Sequence, residues 1–364
     1  MANLLISLLL ALVSMLSLFP PAFAGPVRVA RTRQAHDEYL RQRQLRDRER
    51  KLTDVVYRGS LPPVHLVETK FSFEKDRREE ERRNQGGAAS SAATPIKYHG
   101  GPVMSSDTLN VYLIYYGSWP VGSGQDVIEN FIRSLGLSGS DAQGEAGDPK
   151  VSNWWATSSK YYSKASDGST NTVSKEVNLT KVIWDKGSRG KKLGPRGPWK
   201  IVKSRIGSGK PLPYDADGIY LLLTSKDVKV AGYCSQYCGW HTMDYLNSKP
   251  VVYSLVGHHG RCPKNCGAQR TSPNGNPGLD ATVSTIAHEI AEAATDPDAS
   301  SGWFDANNEE NADKCSYDYG ETLTTQNGKG EDAQYNLVGL NNMTFLVQQN
   351  WDVTTHSCVV QTTE

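Results

Sequence analysis

No cysteine occurs in the first 233 residues of this 364-residue chain, and no excess of charge of either sign marks it, with 40 Lys/Arg against 39 Asp/Glu. A net charge of +1 gives no global pull toward nucleic acid or an acidic membrane surface. After the first two dozen residues no segment is apolar enough to span a bilayer, so no membrane partner is expected once that leader is gone. No G-x-S-x-G elbow and no phosphate-cradling P-loop are present, which removes the commonest serine-hydrolase and nucleotide-binding readings. The length suffices for one large core or two small ones.

What is present begins with export. Leu4 to Leu18 is apolar apart from three serines, Pro20-Pro21 ends the run, and Ala22-Phe23-Ala24 supplies small residues for a signal peptidase. Residues 1–24 are therefore read as a signal peptide, although no Lys or Arg precedes the run. Behind such a leader, the six cysteines Cys234, Cys238, Cys262, Cys266, Cys315 and Cys358 read as three disulfides. Their spacing favours two tight clips, Cys234–Cys238 and Cys262–Cys266, and one long bridge, Cys315–Cys358. Zinc held by the two C-x3-C pairs is the alternative, and an oxidising compartment weighs against it. Asn178-Leu179-Thr180 and Asn342-Met343-Thr344 are N-glycosylation sequons, so Asn178 and Asn342 are candidate glycan carriers.

Residues 25–95 read as a charged, low-complexity pro-segment or spacer, largely disordered. Acids and bases alternate there with few apolar residues to bury, and 76–94 turns Gly/Ala/Ser-rich. The folded domain is expected over 96–364. Asn110–Tyr116, Gly218–Thr224 and Pro250–Val256 are short continuous β-branched, aromatic and Leu runs, the pattern of buried strands. Val173–Trp184 looks extended, and Phe345–Gln348 reads as a late strand. Gln125–Leu135 carries Val127, Ile128, Phe131, Ile132 and Leu135 on one helical face. Val151–Tyr162 reads as a second helix and Ala281–Ala294 as a third. Interleaved strands and helices predict a single mixed α/β (α+β) domain. Trp119, Trp154, Trp155 and Trp303 are candidate sugar-stacking rings, with burial in the core as their more ordinary use.

The third helix holds the sharpest signal. Val283, Ile286, Ala287, Ile290, Ala291 and Ala294 form an apolar stripe; Asp280 reads as the N-cap and Pro297 stops the helix. His288 and Glu292 stand one turn apart and can bind one metal ion, while Glu289 takes the place of the general base in an H-E-x-x-H zinc peptidase. Here the motif is H-E-x-x-E, which makes the site harder and more negative, so that zinc or calcium is the candidate ion. Asp296, Asp298, Asp305, Glu310 and Asp313 are the downstream carboxylates available to complete it, with Asp296 and Asp313 the two singled out. A simple His288–Glu292 hydrogen-bonded pair is the structural alternative. His258-His259 in a Gly-rich loop reads as exposed polar surface, and His241 as structural.

Taken in order, Tyr98-His99-Gly100-Gly101-Pro102, Asn110–Gly117, Trp154-Trp155, Gly218–Val228, Tyr233-Cys234…Cys238-Gly239-Trp240-His241, Cys262-Pro263…Cys266, Pro273-Asn274-Gly275…Asp280, Ile286–Glu292, Ala312-Asp313-Lys314-Cys315 and Phe345–Gln348 resemble the Exordium-like (phosphate-induced protein) domain over about 96–360. The resemblance implies a secreted protein of the apoplast and cell wall, linked to growth and cell expansion, with wall polysaccharide or another extracellular protein as partner. It implies no established reaction. A metal-dependent extracellular hydrolase with a zincin-like fold and a carbohydrate-binding protein are the rival readings. Two departures from the family stand out: the long charged N-terminal segment, and Asp296-Pro297 where plant members tend to carry Asn before Pro.

Overall fold

The computed structural model describes residues 65–69, 94–120, 122, 124–136 and 147–361. The leader, most of the 25–95 segment and the last three residues of the expected domain lie outside them. Ten elements carry the architecture. They are strand β1 (His65–Glu68), strand β2 (Thr108–Tyr116), helix α1 (Gln125–Leu135), helix α2 (Val151–Ser158), strand β3 (Glu176–Asp185), helix α3 (Gly197–Arg205), strand β4 (Gly218–Thr224), strand β5 (Tyr237–Leu246), strand β6 (Lys249–Gly257) and helix α4 (Pro277–Thr295).

The six strands form one mixed sheet in the order β1-β5-β6-β4-β2-β3. The inner pairs β6–β4, β4–β2 and β2–β3 are parallel, while β1–β5 and β5–β6 are antiparallel. The three apolar runs read from the sequence are β2, β4 and β6, which neighbour one another. Strands covered on both faces read as unbroken apolar sequence. Side chains alternate between two cores. Leu109, Val111, Leu113, Tyr115, Leu221 and Val256 meet α1, α2 and α4 on one face. Tyr112, Ile114, Tyr116, Tyr220, Leu222 and Tyr253 meet α3 on the other. The mixed α/β domain is therefore a three-layer sandwich.

α1 has the bounds its pattern predicts, and its five apolar residues are all buried. Their burial contributes roughly 10 kcal/mol before the entropy of ordering them is subtracted. α2 stops four residues short of the expected Tyr162. Thr157, Ser158 and Ser159 offer hydroxyls that compete with the helical ladder, and Tyr161 turns inward so that its hydroxyl donates to Trp351 O at 2.8 Å. The late strand is shorter too, Thr344–Phe345. Beyond it, Val347 is tied to a side chain instead of a strand: its N–H donates to Asn336 Oδ1 at 2.9 Å, and Asn336 Nδ2 donates to its carbonyl at 2.6 Å.

β5 is the strand that the sequence patterns miss. It pairs with β6 through a two-residue turn in which Asn247 and Ser248 both take positive φ, 51° and 64°, as a hairpin with right-handed strand twist requires. Gly239 and His241, two apart, point to the α4 side, while Trp240 packs into the opposite core. β1 lies within the 25–95 segment and adds to the free edge of β5, and the Tyr317 hydroxyl donates to Glu68 O at 2.7 Å.

The disulfides are Cys234–Cys262, Cys238–Cys266 and Cys315–Cys358. The long bridge agrees with expectation; the two tight clips are replaced by parallel rungs between two segments, and no cysteine is left for a zinc site. Cys262 is the N-cap and Cys266 the last residue of one helical turn, Pro263–Cys266, which stacks their sulfurs on one side. The 234–238 segment runs out into β5 alongside that turn, with Asn265 Nδ2 donating to Cys234 O at 2.7 Å. A bridge from segment to segment then closes a longer loop than either local clip would.

Candidate functional site

α4 is buried along almost its whole length, including His288, Glu289 and Glu292, which have no solvent exposure. Its N-cap is Asn276, whose Oδ1 accepts from Leu279 N at 3.2 Å, and not Asp280. Pro277 fits the first helical position, where no N–H is needed, so the helix begins a turn early. Asp280 becomes an internal acid that accepts from Ser272 and from Asn274 Nδ2 at 2.9 Å. The sheet covers one side of α4. The segment after Gly302 covers another, bringing Phe345, Val347 and Trp351 into the same core.

Polar atoms converge on the middle of α4. Nε2 of His288 lies 2.7 Å from Glu292 Oε1 and 3.3 Å from Asp313 Oδ1. Its other nitrogen, Nδ1, is 3.0 Å from Gln348 Oε1. The Gln348 amide is oriented by its own donation to Ala312 O at 2.7 Å, so Oε1 accepts and His288 Nδ1 carries the proton. In the neutral ring Nε2 is then the lone-pair nitrogen, directed at the carboxylates. An outer hydrogen bond of this kind sets the tautomer of metal-binding histidines. Asp313 opens a short 3-10 turn ending at Cys315, and its own N–H donates to Glu292 Oε1 at 3.1 Å. The Cys315–Cys358 bridge thus anchors the residue that completes the set.

Of the two downstream acids singled out by sequence, Asp313 reaches His288 and Asp296 does not join this set. Asp296 Oδ1 accepts the N–H groups of Ser300 and Ser301 at 3.2 and 3.3 Å, capping the loop after α4. Glu289 points to His241 instead, its Oε2 3.4 Å from His241 Nδ1. His241 Nδ1 also lies 3.6 Å from Glu292 Oε2, and its Nε2 donates to the Asp296 carbonyl at 3.0 Å. Glu310 Oε1 stands 3.8 Å from His241 Nε2. His241 and Glu310 therefore belong to the cluster. The signal for His241 was the Gly239-x-His241 spacing on an antiparallel strand, visible only once that strand is placed.

The charges are tightly interdependent. Burial pushes the Glu289 carboxyl up to about 8, against the pull of His241. Burial also opposes ionisation of Glu292, but the neighbouring His288 and His241 outweigh it and hold that carboxyl at about 2. Burial alone would lower both histidines; the facing carboxylates, Glu310 for His241 and Glu292 for His288, raise both well above the ordinary range. Glu289 requires a bare backbone opposite: a Cβ on Gly239 would stand 2.6 Å from Glu289 Oε1 and 2.7 Å from Thr285 Cγ2.

His258 and His259 depart from the exposed surface expected of them. His259 is fully buried, with Tyr233 Oη 3.0 Å from Nδ1 and Thr285 Oγ1 2.6 Å from Nε2. His258 is half-buried and stacks on Trp119 with ring centroids 5.6 Å apart. Trp119, Trp154, Trp155 and Trp303 are all core residues. Asn178 and Asn342 are exposed.

A second feature escaped a whole-chain count of charge. Residues 181–210 contain ten Lys/Arg and a single acid, Asp185. Asp185 is taken by Arg205 at 2.6 Å. Arg189, Lys192, Arg196 and Lys200 line one shallow cleft of about 470 Å³ around the start of α3.

Comparison with known proteins places these features. The family model described as the phosphate-induced protein 1 conserved region matches residues 96–361. The chain belongs to the phosphate-induced protein 1, or Exordium-like, family. It is 31% identical to Protein EXORDIUM-like 5 of Arabidopsis thaliana over 292 residues, covering 72% of this chain and 77% of that protein. To Protein EXORDIUM-like 3 of the same plant it is 31% identical over 293 residues, 72% and 82% of the two chains. To Protein PHOSPHATE-INDUCED 1 of Nicotiana tabacum it is 27% identical over 296 residues, 72% and 87%. No solved structure matches the chain. Every residue of the α4 cluster falls inside the Exordium-like region, and β1 falls outside it.

Proposed function

We propose that this Exordium-like protein works outside the cell as a growth-linked component of the apoplast and cell wall, organised around a buried divalent cation held by His288, Glu292 and Asp313. Export is supported by three disulfides behind an apolar leader. The exposed Asn178 and Asn342 would then carry N-glycans. The observation that carries the metal reading is the His288 ring, with Nδ1 given to Gln348 and Nε2 faced by two carboxylate oxygens. One imidazole nitrogen with carboxylate oxygens suits zinc or manganese better than calcium, which takes oxygen ligands.

The full burial of His288, Glu289 and Glu292 favours a cation that fixes structure over one that activates water for hydrolysis. Elemental analysis of the tag-free secreted protein tests the reading. Stoichiometric metal that is lost in His288→Ala and Asp313→Asn is expected; a metal-free wild type with native stability after exhaustive purification without chelator would refute it.

The partner best matched to the surface is an acidic polysaccharide. The four cations lining the cleft at α3 belong to a segment whose one acid is already paired, and such a patch attracts a polyanion in a salt-dependent way. Binding to immobilised polygalacturonate should fall several-fold in the double reversal Lys192→Glu/Lys200→Glu and on raising salt. Equal retention of variant and wild type would exclude this surface.

A further inference from the structure

We infer that the α4 centre is binuclear: a second divalent cation sits between His241 Nδ1, Glu289 Oε2 and Glu292 Oε2, with Glu292 bridging it to the first. The inference deepens the reading of His288, Glu292 and Asp313 as a cation site and rests on it.

Three observations carry it. Glu292 divides its carboxylate between two histidines, Oε1 toward His288 Nε2 and Oε2 toward His241 Nδ1. That is the disposition of a bridging carboxylate. Second, His241 repeats the arrangement of His288. Its outer nitrogen donates to a carbonyl oxygen, that of Asp296, which leaves Nδ1 as the lone-pair nitrogen of the neutral ring, turned toward two carboxylates. Third, both oxygens of Glu289 and Oε2 of Glu292 are buried without a hydrogen bond, although a buried carboxylate with no donor is strongly disfavoured.

Distances distinguish a cation from a direct ion pair. A charge-assisted hydrogen bond between imidazolium and carboxylate closes to about 2.7–2.9 Å. His241 Nδ1 stands at 3.4 and 3.6 Å from its two carboxylate oxygens. Two ligand atoms at about 2.1 Å from a tetrahedral ion are about 3.4 Å apart, so these separations match edges of a coordination shell. The 3.3 Å edge from His288 to Asp313 matches as well, whereas the 2.7 Å between His288 Nε2 and Glu292 Oε1 is as short as a direct ion pair. Charge agrees. Glu289, Glu292, Glu310 and Asp313 supply four negative charges around two imidazoles. With all four ionised, two divalent cations balance them with both rings neutral.

The test uses the full secreted chain, tag-free, loaded with manganese(II) and freed of excess ion. Wild type should hold two metal ions per chain and give the exchange-coupled spectrum of a manganese pair in electron paramagnetic resonance. His241→Ala and Glu289→Gln should each hold one ion, with the isolated six-line spectrum and an unchanged far-ultraviolet circular dichroism spectrum. A wild type with one ion, lost in His288→Ala but kept in His241→Ala, overturns the second position and leaves the first standing. A wild type that binds none overturns both. Two ions without exchange coupling overturn the shared Glu292 bridge, and that result is read on wild type, independently of how any variant folds.

Discussion

His259 gives the molecule a calculable sensitivity to acid. Its ring is enclosed between the Tyr233 hydroxyl and Thr285, and burial, with the adjacent His258, holds its pKa at about 3 instead of the ordinary 6.5. The folded form therefore keeps His259 neutral where the unfolded chain binds a proton. Stability from this group is complete above the unfolded value of 6.5 and is lost as pH falls toward 3. Between pH 7 and pH 5 the loss is about 2 kcal/mol, at 1.36 kcal/mol per unit of separation.

Replacing the ring by an amide removes the titration. His259→Gln should be less stable than wild type at pH 7 by about 1–3 kcal/mol, because buried hydrogen bonds are broken. That gap should then narrow by about 2 kcal/mol at pH 5, since only wild type loses the imidazole contribution. Denaturant unfolding under non-reducing conditions at a series of pH values reads both quantities. Parallel wild-type and variant curves from pH 7 to pH 5 would refute the buried, neutral His259.

Other perturbations probe the surroundings of α4. Gly239→Ala should destabilise the fold by about 1–3 kcal/mol through overpacking and reduce metal content, because its Cβ meets Glu289 and Thr285; thermal melts with metal analysis check both. Opening the Cys315–Cys358 bridge, with its separation of 43 residues, should cost about 4 kcal/mol on a chain-entropy basis. The double serine variant should also release metal faster, since Asp313 loses its anchor. Asn336→Ala removes the bonds to both backbone groups of Val347 and should cost about 2–3 kcal/mol, measured by chemical unfolding.

Legibility followed the chemistry of each segment. α1 and β4 have the bounds read from their side-chain patterns, and β2 and β6 differ only at their ends. β5 gave no such pattern, because its positions facing α4 include Gly239 and His241, a bare backbone and a polar ring. The motif helix was legible, and so was the His288–Glu292 pair, since their relation is local to one helix. Asp313 was one of five eligible acids, and only the turn fixed by Cys315 distinguishes it. His241 lies far upstream and joins the cluster through the packing of β5 beneath α4, which sequence spacing does not encode. The cysteine rungs were missed for a similar reason: equal spacing within each pair does not reveal that two segments run side by side. The basic segment of 181–210 was hidden by averaging charge over the whole chain.

The strand at 65–68 lies ahead of the family-matched region, yet it is laid against β5 from Tyr237 to His241. A maturation event that stripped it away would uncover a row of main-chain donors and acceptors directly behind the histidine of the cluster. Such a border recruits any extended peptide that offers a matching ladder. Trimmed and untrimmed molecules would then differ in what they can attach to while keeping the same interior.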